Sequence, residues 1–291
     1  MPELATALAD GVVVLDGGLA TELERRGNDL SSALWSARLL ADDPDQVLAA
    51  HRAFVAAGAQ VIIGASYQAS NDGFAAVGID AKAMLQRSVE LARMAIGDAG
   101  WVAASIGPYG AALADGSEYR GDYGRSVREL RGFHRGRMQT LADAEPDVLA
   151  IETIPCLTEV EAVLAELDVL AVPAWLSITC TGTRTRAGEP VTTAFAMAAD
   201  CPGVIAVGVN CTAPEDISAL MPLAAASGKP VVVYPNSGET WDAARRRWTG
   251  ARGLHPERVR EWIDAGARLV GGCCRVGPDE IAAIAAIARG N

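Results

Sequence analysis

Three cysteines carry the clearest chemistry in this chain: Cys211, in the run GVNC, and the adjacent pair Cys273 and Cys274, in GGCCR. Thiolates are soft ligands, and three of them suit zinc while leaving one tetrahedral position open, as catalytic zinc sites do. Neighbouring cysteines meet the geometry of a relaxed disulfide poorly. The pair reads instead as a two-toothed metal grip, with Gly271-Gly272 supplying a pliable backbone. Residue type alone leaves a second reading open, because cysteine is among the most buried residue types and all three thiols would also serve as core. Core filling is the reading for Cys156, Cys180 and Cys201, although Cys156 and Cys180 fall near enough to substitute as ligands.

Bringing residue 211 to residues 273 and 274 requires a scaffold. Short Val- and Ile-rich runs at 12–15, 60–63, 102–106, 148–151, 174–179, 204–209, 231–234 and 268–270 alternate with amphipathic stretches. Those stretches fall near 44–57, 81–98, 125–143, 158–167, 192–200, 214–226, 256–264 and 278–288. Strands without in/out alternation fit a parallel sheet buried on both faces. Eight strand–helix units in 291 residues match a single α/β TIM barrel, (β/α)8, with a doubly wound open sheet as the competitor. No linker divides the chain, so residues 1–291 read as one domain. Residues 107–123 are too glycine-rich for a helix and read as an extended third βα loop, a lid over the site. Residues 235–254 read as a second long loop.

In such a barrel the chemistry gathers at the C-terminal strand ends. These ends hold Asp16-Gly17-Gly18, residues 64–68 with Tyr67, Gly107-Pro108, Glu152-Thr153, Cys180, Asn210-Cys211, residues 234–239 with Asn236, and residues 272–275. The formal net charge of −11 argues against nucleic acid or an anionic membrane as partner. The N-terminus lacks a basic leader and no apolar run reaches ~18 residues, which implies a cytoplasmic protein with reduced thiols. His51, His134 and His255 fall away from the strand ends and read as surface or packing residues. Arg245-Arg246-Arg247 reads as a solvated loop face, and Trp241 is a candidate wall for a cationic donor. No phosphate-binding glycine fingerprint follows a strand.

The segments LDGGLATELERRG (15–27), SYQAS (66–70), IETIP (151–155), GVNCT (208–212), YPNSGETW (234–241) and GGCCR (271–275) resemble the homocysteine S-methyltransferases. The branch using S-methylmethionine or S-adenosylmethionine is the most similar. The resemblance spans nearly the whole chain in order. It departs at Gly64-Ala65-Ser66, where the family often has a Thr-Asn pair, and at Val276, where Thr commonly follows GGCCR.

This resemblance implies a zinc-bearing barrel that methylates homocysteine to methionine, with Cys211, Cys273 and Cys274 as ligands. Glu152 would hold the homocysteine ammonium, and Asp16-Gly17-Gly18 would receive its carboxylate through backbone N–H groups. Tyr67 would contact substrate, while Asn210 and Asn236 would shape the pocket wall. An alkyl thiol is mostly protonated at neutral pH, and zinc would keep the substrate sulfur anionic. The implied partners are small molecules, homocysteine and a methyl donor, with monomer and homodimer both open. The competing readings are a betaine- or other donor-dependent thiol methyltransferase, a metal-dependent aldolase or hydrolase, and a non-catalytic zinc- or thiol-binding barrel.

Overall fold

Runs of valine, isoleucine and alanine that cannot face water on either side fold here into eight short parallel strands. They are β1 (Val13–Val14), β2 (Val61–Ile63), β3 (Trp101–Ile106), β4 (Val148–Ile154), β5 (Ala174–Ile178), β6 (Val204–Asn210), β7 (Val231–Tyr234) and β8 (Ala267–Val270). Consecutive strands from β2 to β8 pair in parallel, β8 pairs with β1, and a single parallel bridge between Leu15 and Val61 joins β1 to β2. The sheet is therefore a nearly closed barrel, which removes the open-sheet alternative. The computed structural model describes residues 2–32, 34–242 and 247–290.

One principal helix follows each strand: α1 (Pro44–Ala56), α2 (Ala81–Ile96), α3 (Val127–Ala142), α4 (Leu157–Leu167), α5 (Val191–Ala199), α6 (Pro214–Ala225), α7 (Pro256–Asp264) and α8 (Pro278–Ala288). Their starts are written locally. Ser126 and Glu129 form a reciprocal capping box on α3, and proline opens α1, α6, α7 and α8 where a missing N–H costs least. Gly58 and Gly266, at φ 101° and 103°, make the left-handed turns that end α1 and α7.

Apolar side chains fill two layers. One lies between strands and helices, and the other fills the barrel interior with Leu15, Val61, Trp101, Val148, Trp175 and Leu269. Leu4 and Leu8, from an N-terminal helix Leu4–Asp10, pack into that interior layer. The Trp101 indole N–H, donated to Pro2 O at 2.9 Å, ties the segment before that helix to β3. The floor is thus shut, and the C-terminal strand ends remain as the working face.

Two expectations need correction. Residues 107–123 do contain helix, Tyr109–Leu113, followed by a 3-10 turn at Ser117–Tyr119. Their glycines serve close packing: a Cβ at Gly110 would lie 2.4 Å from Glu118 N, and one at Gly107 2.4 Å from Tyr67 O. Beyond β5, an unforeseen hairpin pairs Cys180–Thr181 with Arg184–Thr185. Residues 235–254 carry a second hairpin, Thr240–Asp242 with Arg247–Thr249. Arg245 and Arg246, and the side chains of Trp241 and Arg247, lie outside the described residues. His51 and His134 are fully buried packing residues, and His255 is exposed at the start of α7. Among the described residues no helix is long and apolar enough to cross a membrane.

Candidate metal centre and active site

Cys211 follows the end of β6, and Cys273 and Cys274 follow β8. Their three sulfurs lie within 4.8 Å of one another, with Cys211 Sγ and Cys274 Sγ 3.8 Å apart. Tetrahedral zinc with Zn–S bonds of about 2.3 Å separates its sulfurs by roughly 3.8 Å. The donor set therefore fits a zinc-sized soft ion with little movement. The thiols already influence one another. Hydrogen bonds from Cys273 and Cys274 pull the Cys211 thiol well below its ordinary range, and the same bonds to Cys211, with burial and then its charge, hold the other two thiols well above theirs.

The cysteine pair is held by its backbone. Gly271 N–H donates to Val233 O, Gly272 to Asp16 O, Cys273 to Pro235 O, Cys274 to Asn236 Oδ1 at 3.1 Å, and Arg275 to Thr21 Oγ1. Five consecutive donors thus reach five different partners. Gly271 and Gly272 have no positive φ, so pliability is not their contribution. A Cβ on Gly271 would meet the Leu15 Cβ at 2.6 Å, and one on Gly272 the buried Val276 side chain at 2.1 Å. The absent side chains let the loop press against β1 and turn back on itself.

Cys211 has φ 48°, a left-handed conformation that is rare outside glycine. Thr179 Oγ1 and an Arg186 Nη2 both donate to its carbonyl, at 3.1 and 3.3 Å, while its own N–H reaches Tyr234 O. Asn210 is fully buried behind the wall. It accepts from Thr153 N–H and donates to Thr153 Oγ1, each at 2.7 Å, and its Nδ2 lies 4.0 Å from Cys273 Sγ.

A cavity of about 790 Å³ opens above the thiols and is lined by Asp16, Gly17, Gly18, Tyr67, Glu152 and Asn236 among others. Glu152 accepts hydrogen bonds from Ser105 and, at 3.0 Å, from Tyr234. Burial nevertheless pushes its carboxyl up to about 7, so it holds its proton more tightly than an ordinary carboxyl, and a cation placed beside it would draw it back toward the ionised form. Asp16 accepts from Ile63 N–H at 2.9 Å through one oxygen, and burial raises it as well. Its other oxygen is buried and unpartnered among the described residues. The Asp16 and Gly18 N–H groups are already donated, to Val61 O and Val276 O. The expected anion-binding turn thus retains only the Gly17 N–H.

Comparison with known proteins decides the family, since residues 13–288 match the model described as homocysteine S-methyltransferase. The chain belongs to the homocysteine S-methyltransferase family. Homocysteine S-methyltransferase 4 of Zea mays is 46% identical, over 97% of this chain and 90% of the relative. The homocysteine S-methyltransferase of Escherichia coli K12 is also 46% identical, over 94% of each chain. The metallated form of the homocysteine methyltransferase MmuM from Escherichia coli superposes with a TM-score of 0.86 at 42% identity, covering 97% and 98% of the two chains.

For a homocysteine S-methyltransferase, several further residues of the site went unread in the sequence. Tyr119, in the 3-10 turn of the third βα loop, brings its hydroxyl to 3.4 Å from Cys211 Sγ. The Arg186 guanidinium lies 5.6 Å from the Tyr119 ring centroid and comes from just after the unforeseen hairpin. Only the assignment of residues 107–123 as a lid pointed toward Tyr119. Nothing in the residue pattern pointed to Arg186. Cys156 and Cys180 stay outside the thiol cluster, buried, with their thiols pushed up to about 12 chiefly by that burial.

Proposed function

We propose that the protein transfers a methyl group from a sulfonium donor, S-methylmethionine or S-adenosylmethionine, to the sulfur of L-homocysteine, using zinc held by Cys211, Cys273 and Cys274. The observation that carries this reading is the convergence of three sulfurs at zinc spacing on the floor of a cavity that also presents Glu152 and Asp16. A hydrolase or aldolase would want oxygen or nitrogen ligands and a general base. Zinc, when bound, supplies the Lewis acidity that keeps a thiol deprotonated at neutral pH.

The chain's own residues do the rest. Glu152 receives the amino group of homocysteine, helped by the low-dielectric surroundings that Tyr234 and Ser105 share with it. The Gly17 N–H is left to meet the carboxylate, and Tyr67 and Asn236 close the walls. The methyl then moves in line: a carbon–sulfur bond forms to homocysteine as the donor's breaks. The donor sulfur keeps the electron pair and leaves as a neutral thioether. The homocysteine proton has by then gone to solvent. A chain of net charge −11 attracts a cationic donor.

The test assays homocysteine against S-methylmethionine, S-adenosylmethionine and betaine, with metal measured on the same sample. Methionine formed from a sulfonium, with about one zinc per chain, is expected. Turnover with betaine alone, or full activity without metal, would reject the reading.

A further inference from the structure

The carboxylates lining the cavity differ in what already occupies them. Asp16 and Glu152 are bonded to Ile63, Ser105 and Tyr234. Glu239 faces Arg275 at 3.4 Å and Arg252 at 3.7 Å and accepts from Ser237. Glu24 and Glu215 are exposed. Two of these carboxylates keep a buried oxygen without a hydrogen-bond partner among the described residues, Asp16 Oδ1 and Glu118 Oε2. Asp16 stands beside the Gly17 N–H assigned to homocysteine and is tied to Ile63 N–H through its other oxygen, which leaves Glu118 for a second ligand.

Its position is built in. Glu118 is the central residue of the Ser117–Tyr119 turn, whose backbone packs so closely on Gly110 that no side chain fits between them. Ser117 N–H is fixed by Asp115 Oδ1 at 2.9 Å. The next residue, Tyr119, touches Cys211 Sγ through its hydroxyl. The same turn therefore places a carboxylate on the lid side of the cavity that holds the thiols. The two arginines that line this cavity are engaged elsewhere, Arg186 with Thr179, Thr181 and Cys211 O and Arg275 with Glu239. A buried carboxylate oxygen without a donor is costly unless a ligand supplies one.

We infer that Glu118 receives the α-ammonium of the methyl donor, so that the enzyme selects sulfonium donors bearing a free amino group and discriminates against betaine, whose nitrogen carries no hydrogen. This rests on the sulfonium-donor reading and deepens it. The alternative placement, carboxylate against sulfonium, is disfavoured by energetics. The sulfonium charge disappears as the methyl leaves, so a carboxylate there would stabilise the ground state more than the transition state. The ammonium charge persists through the reaction, and binding it costs nothing in the chemical step. Burial already raises the Glu118 carboxyl, and the charge of Cys211 adds to that; an ammonium would offset both.

The experiment uses the zinc-loaded enzyme and Glu118→Gln, each with S-methylmethionine and with N-acetyl-S-methylmethionine, which keeps the sulfonium and lacks the ammonium. Glu118→Gln should raise the KM for S-methylmethionine roughly 10- to 100-fold, the loss expected for a charged hydrogen bond. The KM for homocysteine and the zinc content should stay as in the parent. The parent should discriminate against the N-acetyl donor, and the variant should lose that discrimination. An unchanged donor KM in Glu118→Gln, a parallel rise in the homocysteine KM, or equal discrimination in both proteins would overturn the inference alone. A parent enzyme that turns over betaine and no sulfonium would overturn the donor reading together with it.

Discussion

Thr153, Cys211 and Arg275 have φ of 61°, 48° and 66°, in a region that costs a non-glycine residue on the order of 1–3 kcal/mol. Thr153 is the penultimate residue of β4, and Cys211 and Arg275 follow β6 and β8. Each is held by specific bonds: Asn210 on Thr153, Thr179 and Arg186 on Cys211, Thr21 on Arg275. Side-chain direction at the cluster is thus set by backbone strain that the surroundings over-determine. The roles proposed for Cys273 and Glu152 separate cleanly. Cys273→Ser should lose metal and activity together, because an alcohol is a hard and mostly protonated ligand. Glu152→Gln should keep the metal and raise the homocysteine KM by roughly 10-fold or more, since a charge-assisted bond is lost. Metal analysis with steady-state kinetics on both variants decides: a metal-replete Cys273→Ser, or a metal-free Glu152→Gln, contradicts the assignment. The thiols stood out in the sequence because few residue types do their chemistry, although core filling stayed open until the resemblance was drawn; the role expected of Glu152 came from that resemblance alone. Tyr119 and Arg186 did not stand out, because proximity to Cys211 is created only when two separate loops fold over it.

At the scale of elements, the strands were legible because a run buried on both faces must be apolar, and the helices because proline, acids and glycine mark their ends. The loop elements were not legible. The helix Tyr109–Leu113 exists in a glycine-rich stretch because its partners hold it from outside: Glu159, on α4, accepts from Tyr109 N–H at 2.5 Å and from buried His134 at 2.8 Å. Arg137, on α3, is buried and donates to Gly107 O at 3.0 Å and to Ser66 O and Tyr67 O at 3.2 Å. One guanidinium therefore clips the loop after β2 to the loop after β3, the loops that carry Tyr67 and Tyr119. Arg137→Met would leave three carbonyls short of a donor, and a loss of about 3 kcal/mol in unfolding free energy is expected. None of the three cysteines lies on these loops, so the variant should still bind metal while its KM values rise. Urea unfolding and kinetics check this, and an unchanged midpoint with unchanged KM would show that the clip contributes nothing.

Across the whole molecule, two buried groups give acid responses of opposite sign. His51 is fully buried on α1 with neither ring nitrogen partnered among the described residues, and burial lowers it to about 4. Between pH 6.5 and about 4 the unfolded chain takes up a proton that the folded one refuses, so His51 removes stability as the pH falls. Glu152, pushed up to about 7, acts the other way. Between about 7 and 4.5 the folded state binds a proton that the unfolded state does not, so stability rises as the pH falls. Each shift is about 2.5 units, or on the order of 3 kcal/mol, and the two largely cancel over the shared window. The parent should therefore show little pH dependence from this pair. Glu152→Gln should expose the His51 term and lose stability steadily from pH 7 to 5, whereas His51→Leu should gain stability over the same range. Comparing the three proteins by urea unfolding at each pH cancels the metal's own acid release, which all of them share. Identical slopes in the parent and both variants would mean that neither buried group changes its protonation on unfolding, and the balance argued here would not exist.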